Sequence, residues 1–211
     1  MNVKQTKKVA LVTGANKGIG FEISRQLAQQ EITVVIGARD ETRGAEAATR
    51  LGEEGLDVHH VRLDVTDAST LEPLPRFFEE RFGRLDILVN NAGILLDEGT
   101  PLSALDIEVL RQTFETNFFG AFAVAKALLP LIRRSEAGRI VNVSSLLGSL
   151  ADIGHPDSAY AGFVSFAYPA SKVALNALTV LLAKELRGTN VKVNSADPGW
   201  VRTDMGTAAA P

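Results

Sequence analysis

The chain has 211 residues, 45 % of them apolar, and a formal net charge of −3. That length suffices for one domain with a substantial core, and lysines and arginines scattered along it exclude the basic stripe that marks a nucleic-acid partner. Cysteine is absent, which excludes disulfides, thiolate metal sites and cysteine nucleophiles. His59, His60 and His155 lack a spacing that gathers them on one metal, so neither a metal centre nor a histidine base is expected.

In chain order, the basic start MNVKQTKKVALV runs straight into a short apolar strand, without the long apolar region and cleavage site of a signal peptide. KKVALVT (7–13) reads as that strand and ends in a glycine turn. FEISRQLAQQ (21–30) follows, with Phe21, Ile23 and Leu27 spaced for one helix face. Strand 33–39, helix 41–54 and strand 58–65 come next, then a helix around 68–82 whose start Pro73 and Pro75 should delay or break. RLDILVNN (84–91) is nearly all apolar, as a strand covered on both faces should be.

A long helical region spans roughly 103–134, where the run FFGAFAVAKALLPLI is interrupted by Lys126 and Pro130, too early for a membrane span. Strand 139–145, a helix ending near Arg187 and strand 190–197 complete the pattern. Short strands separated by helices mean βαβ units and a parallel sheet, with right-handed crossovers placing helices on both faces. The expected fold is therefore α/β, a Rossmann-type doubly wound sheet in one domain over 1–211. The expected setting is the cytoplasm, with no membrane and no nucleic acid as partner.

TGANKGIG (13–20) lies between the first strand and the first helix, with Gly14, Gly18 and Gly20 spaced four then two. That is neither the common dinucleotide fingerprint nor a P-loop. Glycines still admit close backbone approach there, and a helix N-terminus attracts a pyrophosphate. A plain packing turn remains the alternative. The segment nevertheless resembles the TGxxxGxG motif of the short-chain dehydrogenase/reductase family. NNAG (90–93), the Asn of TNFFG, the serines of IVNVSS, YPASK (168–172) and DPGWVRT (197–203) match in the same order, across residues 9–205.

The resemblance implies a carbonyl-reductase-like member that binds NADP. It implies contacts to the cofactor from Gly14, Asn16, Lys17, Gly18, Ile19 and Gly20 in the turn. Asp64 and Val65 would lie at the adenine and Asn91, Ala92 and Gly93 beside its ribose, while Pro198, Gly199, Val201 and Thr203 would shape the nicotinamide end. Asp64 reads equally as a turn residue, and Asn91 and Gly93 as braces between strands. Counting from Gly20 lands near Asp40, which would favour NAD. In relatives, however, the position of the NAD carboxylate falls on Ala38, and Arg39 and Lys17 would converge on a 2′-phosphate. NADPH is expected.

Reducing a carbonyl takes a hydride from the cofactor and a proton from the protein. The resemblance assigns that proton to Tyr168, with Lys172 four residues on and hence on the same helix face. At ~6 Å and an effective dielectric of ~20, the lysine is worth roughly 2.8 kcal/mol, which would bring the phenol from ~10 to ~8. In the family the lysine also bonds the nicotinamide ribose.

Tyr160 is the rival. It lies 15 residues past Ser145, where Tyr168 lies 23, but its i+4 neighbour is Val164 and not a lysine. The stretch 149–165 then reads as an insertion bordering the site. Ser145 is the expected donor to the substrate oxygen, and strand alternation keeps Ser144 on the other side. Asn117 resembles the family's helix-interrupting Asn, which binds a water in a proton relay; capping at a break before Gly120 is the alternative.

The sequence ends at Pro211, soon after Thr203, so a substrate-covering segment and a final strand are expected to be missing and the last strand to be an exposed edge. The expected function is an NADPH-dependent reductase of a ketone or aldehyde. A 3-oxoacyl-carrier-protein reductase and a non-catalytic NADP-binding sensor or scaffold are the alternatives. The family pairs through two long helices, which implies a homo-oligomer unless the insertion obstructs it.

Overall fold

The computed structural model describes residues 7–158, 160–206 and 210. Six strands form one parallel sheet in the order β3-β2-β1-β4-β5-β6: β1 Val9–Thr13, β2 Thr33–Ala38, β3 Val58–Arg62, β4 Ile87–Asn90, β5 Arg139–Val143 and β6 Lys192–Ala196. Every residue of β1 and β2 is buried, because helices cover both faces of the sheet centre. Alternate side chains enter separate cores. Val9 and Leu11 join Phe78, Val124, Leu128 and Ile140 on one face; Ala10 and Val12 join Phe21, Ile36 and Leu51 on the other. The polar sequence of β6 falls at the sheet edge, where only Val193 of the strand is buried.

Helices α1 Gly18–Gln29, α2 Glu41–Glu53, α3 Ala68–Leu71 and α4 Leu74–Phe82 connect the first four strands. The prolines act as anticipated: the segment 68–82 is split, with Pro73 as the N-cap of α4. Between β4 and β5 runs a continuous helical rod. It comprises α5 Ile107–Phe114, a π-helical turn Glu115–Gly120 and α6 Ala121–Ile132. Here the sequence reading needs correction. Lys126 and Pro130 do not interrupt the rod, because both face outward and the proline sits in the last turn. Ile107–Ile132 is thus long and apolar enough, by length and composition, to cross a membrane. In this fold, its Val124, Leu128 and Ile132 fill the core.

The stretch 149–165 holds a short helix, α7 Leu150–Gly154, capped by Ser149. Beyond it, α8 Ala167–Glu185 leads into β6. Chain direction across the sheet reverses between β1 and β4, which are paired through Val12 and Val89. Their carboxyl ends open the crevice in which such sheets bind ligands.

Candidate active site

The crevice is built first from backbone. Gly14 has φ 64°, and a Cβ there would lie 2.9 Å from the Ala92 Cα; only glycine allows both the left-handed turn and this approach of β1 to β4. A side chain at Gly20 would collide with Asn91, and α1 starts at Gly18, three residues earlier than its apolar spacing indicated. The Gly18, Ile19 and Gly20 amides form its first turn, which has no side-chain cap and is suited to an anion. Asn16 and Lys17 lead into it.

Asn91 is spent on the frame. Its Nδ2 donates to Thr13 O at 2.8 Å and Gly14 O at 3.1 Å, while Thr13 Oγ1 accepts from the Asn91 and Ala92 amides at 3.0 Å each. Its side chain braces the glycine turn.

At the far end of the crevice, the conflict over Asp40 resolves. Its carboxylate caps α2, accepting from the Arg43 amide at 3.0 Å. Ala38 is buried, so β2 ends without a carboxylate aimed at a ribose. Arg39 is exposed. Lys17 forms an ion pair with Asp204. Asp64 makes an Asx turn, its Oδ1 accepting from the Thr66 amide at 3.0 Å and hydroxyl at 2.8 Å, and Val65 is buried against Gly120. Asp64 therefore has the turn role that its sequence left open, at the end of β3.

The reactive end is assembled on α8. Tyr168 lies in its first turn and Lys172 one turn later, with Nζ 5.4 Å from the centre of the phenol ring. Lys172 is 4 % exposed, and Nζ donates to Val143 O at 2.8 Å. A methyl built on Gly93 would lie 3.6 Å from that Nζ, so the lysine tip faces the turn after β4. The two serines part as alternation requires: the Ser144 hydroxyl donates to Asn176 Oδ1 at 2.8 Å, whereas Ser145 acts on the Tyr168 phenol.

Electrostatics correct the sequence estimate. Burial pushes Tyr168 up to about 12; the Ser145 hydroxyl opposes this, while Asp197 and Tyr160 add to it. Burial alone brings Lys172 down to about 8. Desolvation disfavours the charged form of each group, and here it outweighs the pull of lysine on phenol that the spacing suggested. Tyr160 belongs to the surroundings of Tyr168.

Asn117 sits inside the π-helical turn, fully buried. Its Oδ1 accepts from the Ile94 amide at 2.8 Å, and its Nδ2 donates to Ile94 O at 2.9 Å and Ser171 Oγ at 3.0 Å. Ser171 in turn donates to Tyr168 O at 2.7 Å. After β6, Gly199 turns with φ 73° between the exposed Pro198 and Val201, and the Thr203 side chain packs on Gly18.

The glycine turn, Gly93, Ser145, Tyr168, Lys172 and Thr203 thus meet at one crevice, while Arg39 and Asp64 follow the carboxyl ends of β2 and β3. Three residues escaped the sequence reading: Ser171, Asn176 and, above all, Asp97. Asp97 is 1 % exposed and accepts from the amides that open α8. Nothing in ILLDEGT distinguishes it from a loop acid. The donor set fits NADP(H): helix amides without a side-chain cap for a pyrophosphate, a buried ammonium whose one protein acceptor among the described residues is Val143 O, for ribose hydroxyls, and an exposed Arg39 guanidinium after β2 for a 2′-phosphate.

Comparisons with known proteins place the chain in a family. Carbonyl reductase (NADPH) 1 of Mus musculus is 37 % identical over 241 residues, covering 96 % of this chain and 85 % of its own length. (+)-Neomenthol dehydrogenase of Arabidopsis thaliana is 35 % identical over 259 residues, covering 96 % and 86 %. Among solved structures, salutaridine reductase from Papaver somniferum superposes with a TM-score of 0.82 at 31 % identity, covering 97 % of this chain and 90 % of that one. A gluconate 5-dehydrogenase from Burkholderia cenocepacia in complex with NADP and tartrate gives 0.81 at 31 %, covering 94 % and 73 %. The family described as short chain dehydrogenase matches residues 8–211, and the chain belongs to that family.

Proposed function

We propose that the chain, as one NADP-binding domain over 1–211, catalyses reversible hydride transfer between NADPH and a ketone or aldehyde. The observation that carries this reading is the buried Lys172 ammonium, bonded once to Val143 O and set beside a Tyr168 phenol that Ser145 addresses. When bound, NADPH supplies the hydride. Tyr168, held neutral by burial, keeps its proton at the hydroxyl until a carbonyl oxygen gathers negative charge, and then gives it up. Ser145 donates a hydrogen bond to that same oxygen. Lys172, at about 8, holds a proton that exchanges near neutrality and offers its remaining N–H groups to a ribose. The Asn117 side chain is committed to Ile94 and Ser171, so a relay through this residue would use its backbone carbonyl.

Gly14, Asn16, Lys17, Gly18, Ile19 and Gly20 would cradle the pyrophosphate, with Asn91, Ala92 and Gly93 as the opposite wall. Arg39 would hold the 2′-phosphate, Asp64 and Val65 would border the adenine, and Pro198, Gly199, Val201 and Thr203 would enclose the nicotinamide. Cytoplasmic residence and self-association belong to the same reading. The latter is supported by Ile107, Phe119, Val180 and Leu181, which lie exposed along α5, the π-helical turn and α8.

The test is oxidation of NADPH against NADH with a panel of ketones, aldehydes and quinones. Wild type should turn over with NADPH. Y168F should lose about 10²–10⁴-fold in kcat and still bind NADPH, while Y160F should keep its rate. Equal loss in the two variants contradicts the assignment.

A further inference from the structure

α8 carries both Tyr168 and Lys172, yet its N-cap, Phe166, supplies no side-chain acceptor for the amides of the first turn. Such amides need partners when buried. Here the acceptor comes from another part of the chain. Asp97 Oδ2 accepts from the Phe166 amide at 2.7 Å and the Ala167 amide at 2.6 Å, and Oδ1 accepts from the Tyr168 amide at 3.3 Å. The carboxylate is 1 % exposed and forms no ion pair among the described residues. A buried charge without a counter-ion is costly, and three convergent amides at the positive end of a 19-residue helix are what offsets that cost.

The loop that holds Asp97 is fixed at both ends. Upstream, Ile94 is clamped by Asn117 through its amide and carbonyl, and Asn91 is tied to Thr13 and Gly14. Downstream, the Gly99 amide donates to Val164 O at 2.8 Å. Hydrogen bonds therefore tie the loop after β4 to the glycine turn, to Asn117 and to the first turn of α8, and Asp97 makes the tie to the Tyr168 amide, beside the Ser171 bond to the Tyr168 carbonyl.

We infer that Asp97 is the positioning residue of the reaction: by capping the Phe166, Ala167 and Tyr168 amides, it sets the phenol against Ser145 in register with the cofactor crevice. It touches no reacting atom and acts through Tyr168. The inference rests on the reading of Tyr168 as proton donor. A misplacement on the order of 1 Å in a reacting group costs about 10²-fold, and that sets the scale of the effect.

The experiment compares wild type, D97N, D97A, Y168F and the D97N/Y168F double variant. Each is checked for folding by circular dichroism, for NADPH Kd by fluorescence titration, and for kcat and KM. D97N keeps the shape and one acceptor oxygen, so it decides the matter if D97A does not fold. Expected for D97N are a kcat lower by about 10–100-fold, NADPH Kd and substrate KM within about threefold of wild type, and an effect that vanishes in the Y168F background, as for residues that act as one unit. The inference is overturned if D97N keeps kcat within threefold of wild type, loses NADPH affinity as much as rate, or slows Y168F further. The Y168F single variant tests the underlying reading separately: activity retained there sinks that reading, whatever D97N does.

Discussion

Replacing Lys172 by methionine should make the protein more stable at neutral pH while removing its activity, and the gain should depend on pH in a defined way. The ammonium is 4 % exposed with one protein hydrogen bond, and burial takes it from 10.5 to about 8. At about 1.4 kcal/mol per pKa unit, keeping it charged in the folded state at pH 7 costs about 3 kcal/mol. Methionine has a similar reach and escapes that cost, but leaves Val143 O without its donor, a loss of about 1–2 kcal/mol. A net gain of about 1–2 kcal/mol remains. Below pH 8 the lysine is protonated in folded and unfolded chains alike, so the gain is constant. Between about 8 and 10.5 the folded wild type releases the proton and the unfolded chain retains it, so wild-type stability rises with pH by about 3 kcal/mol in total. K172M has no such rise, and its advantage should turn into a deficit by pH 10. Urea unfolding followed by far-ultraviolet circular dichroism at pH 7, 8.5 and 10 measures this. A difference between the proteins that stays flat over that range would refute the reasoning.

Arg39→Ala should weaken NADPH binding by about 10–100-fold, the worth of a hydrogen bond to a charged group, and leave NADH binding unchanged; isothermal titration with both cofactors checks it, and equal loss counts against a 2′-phosphate site. Asp204→Asn releases Lys17 from its ion pair and should tighten NADPH binding several-fold at low ionic strength, an effect that ~0.5 M salt should abolish by screening. In the reduction direction, kcat should fall as pH rises through about 8, where Lys172 gives up its proton, with no second limb from the phenol until about 12. A profile flat to pH 10 would mean that the lysine charge does not serve the rate-limiting step.

The fold was legible because its signals are local. Two runs that read as strands, 7–13 and 33–39, become the fully buried β1 and β2, and Pro73 breaks its helix as pyrrolidine geometry requires. Pro130 misled because a proline ends a helix only when the carbonyl it orphans is not otherwise served. On the outer side of the last turn of α6, facing solvent, it can be tolerated. Whether a proline faces in or out is a fact about packing, and the sequence around it is apolar either way. The offset of the α1 start has the same origin: Gly18 and Gly20 read as part of the turn, but Gly20 is glycine for the sake of Asn91, far away in the chain.

Within the candidate site, the geometry that spacing decides was legible, and the electrostatics were misread. A spacing of four places Lys172 on the Tyr168 face of α8, and the structure keeps it there. Spacing carries no information on how much water remains, however, and burial decides the balance of charges. A Coulombic pull of roughly 2.8 kcal/mol between two groups ~6 Å apart loses to desolvation when both lie inside the protein, so the phenol moves up and the ammonium down. That reversal suits a reductase. With the phenol near 12 and the lysine near 8, Tyr168 keeps throughout the neutral range the proton that the proposed mechanism gives to a nascent alkoxide. The group poised to exchange a proton is the lysine behind it. Asp97 was illegible for a related reason: its three partners lie about 70 residues along the chain, and an acid in a loop reveals its burial only when the first turn of α8 arrives to need it.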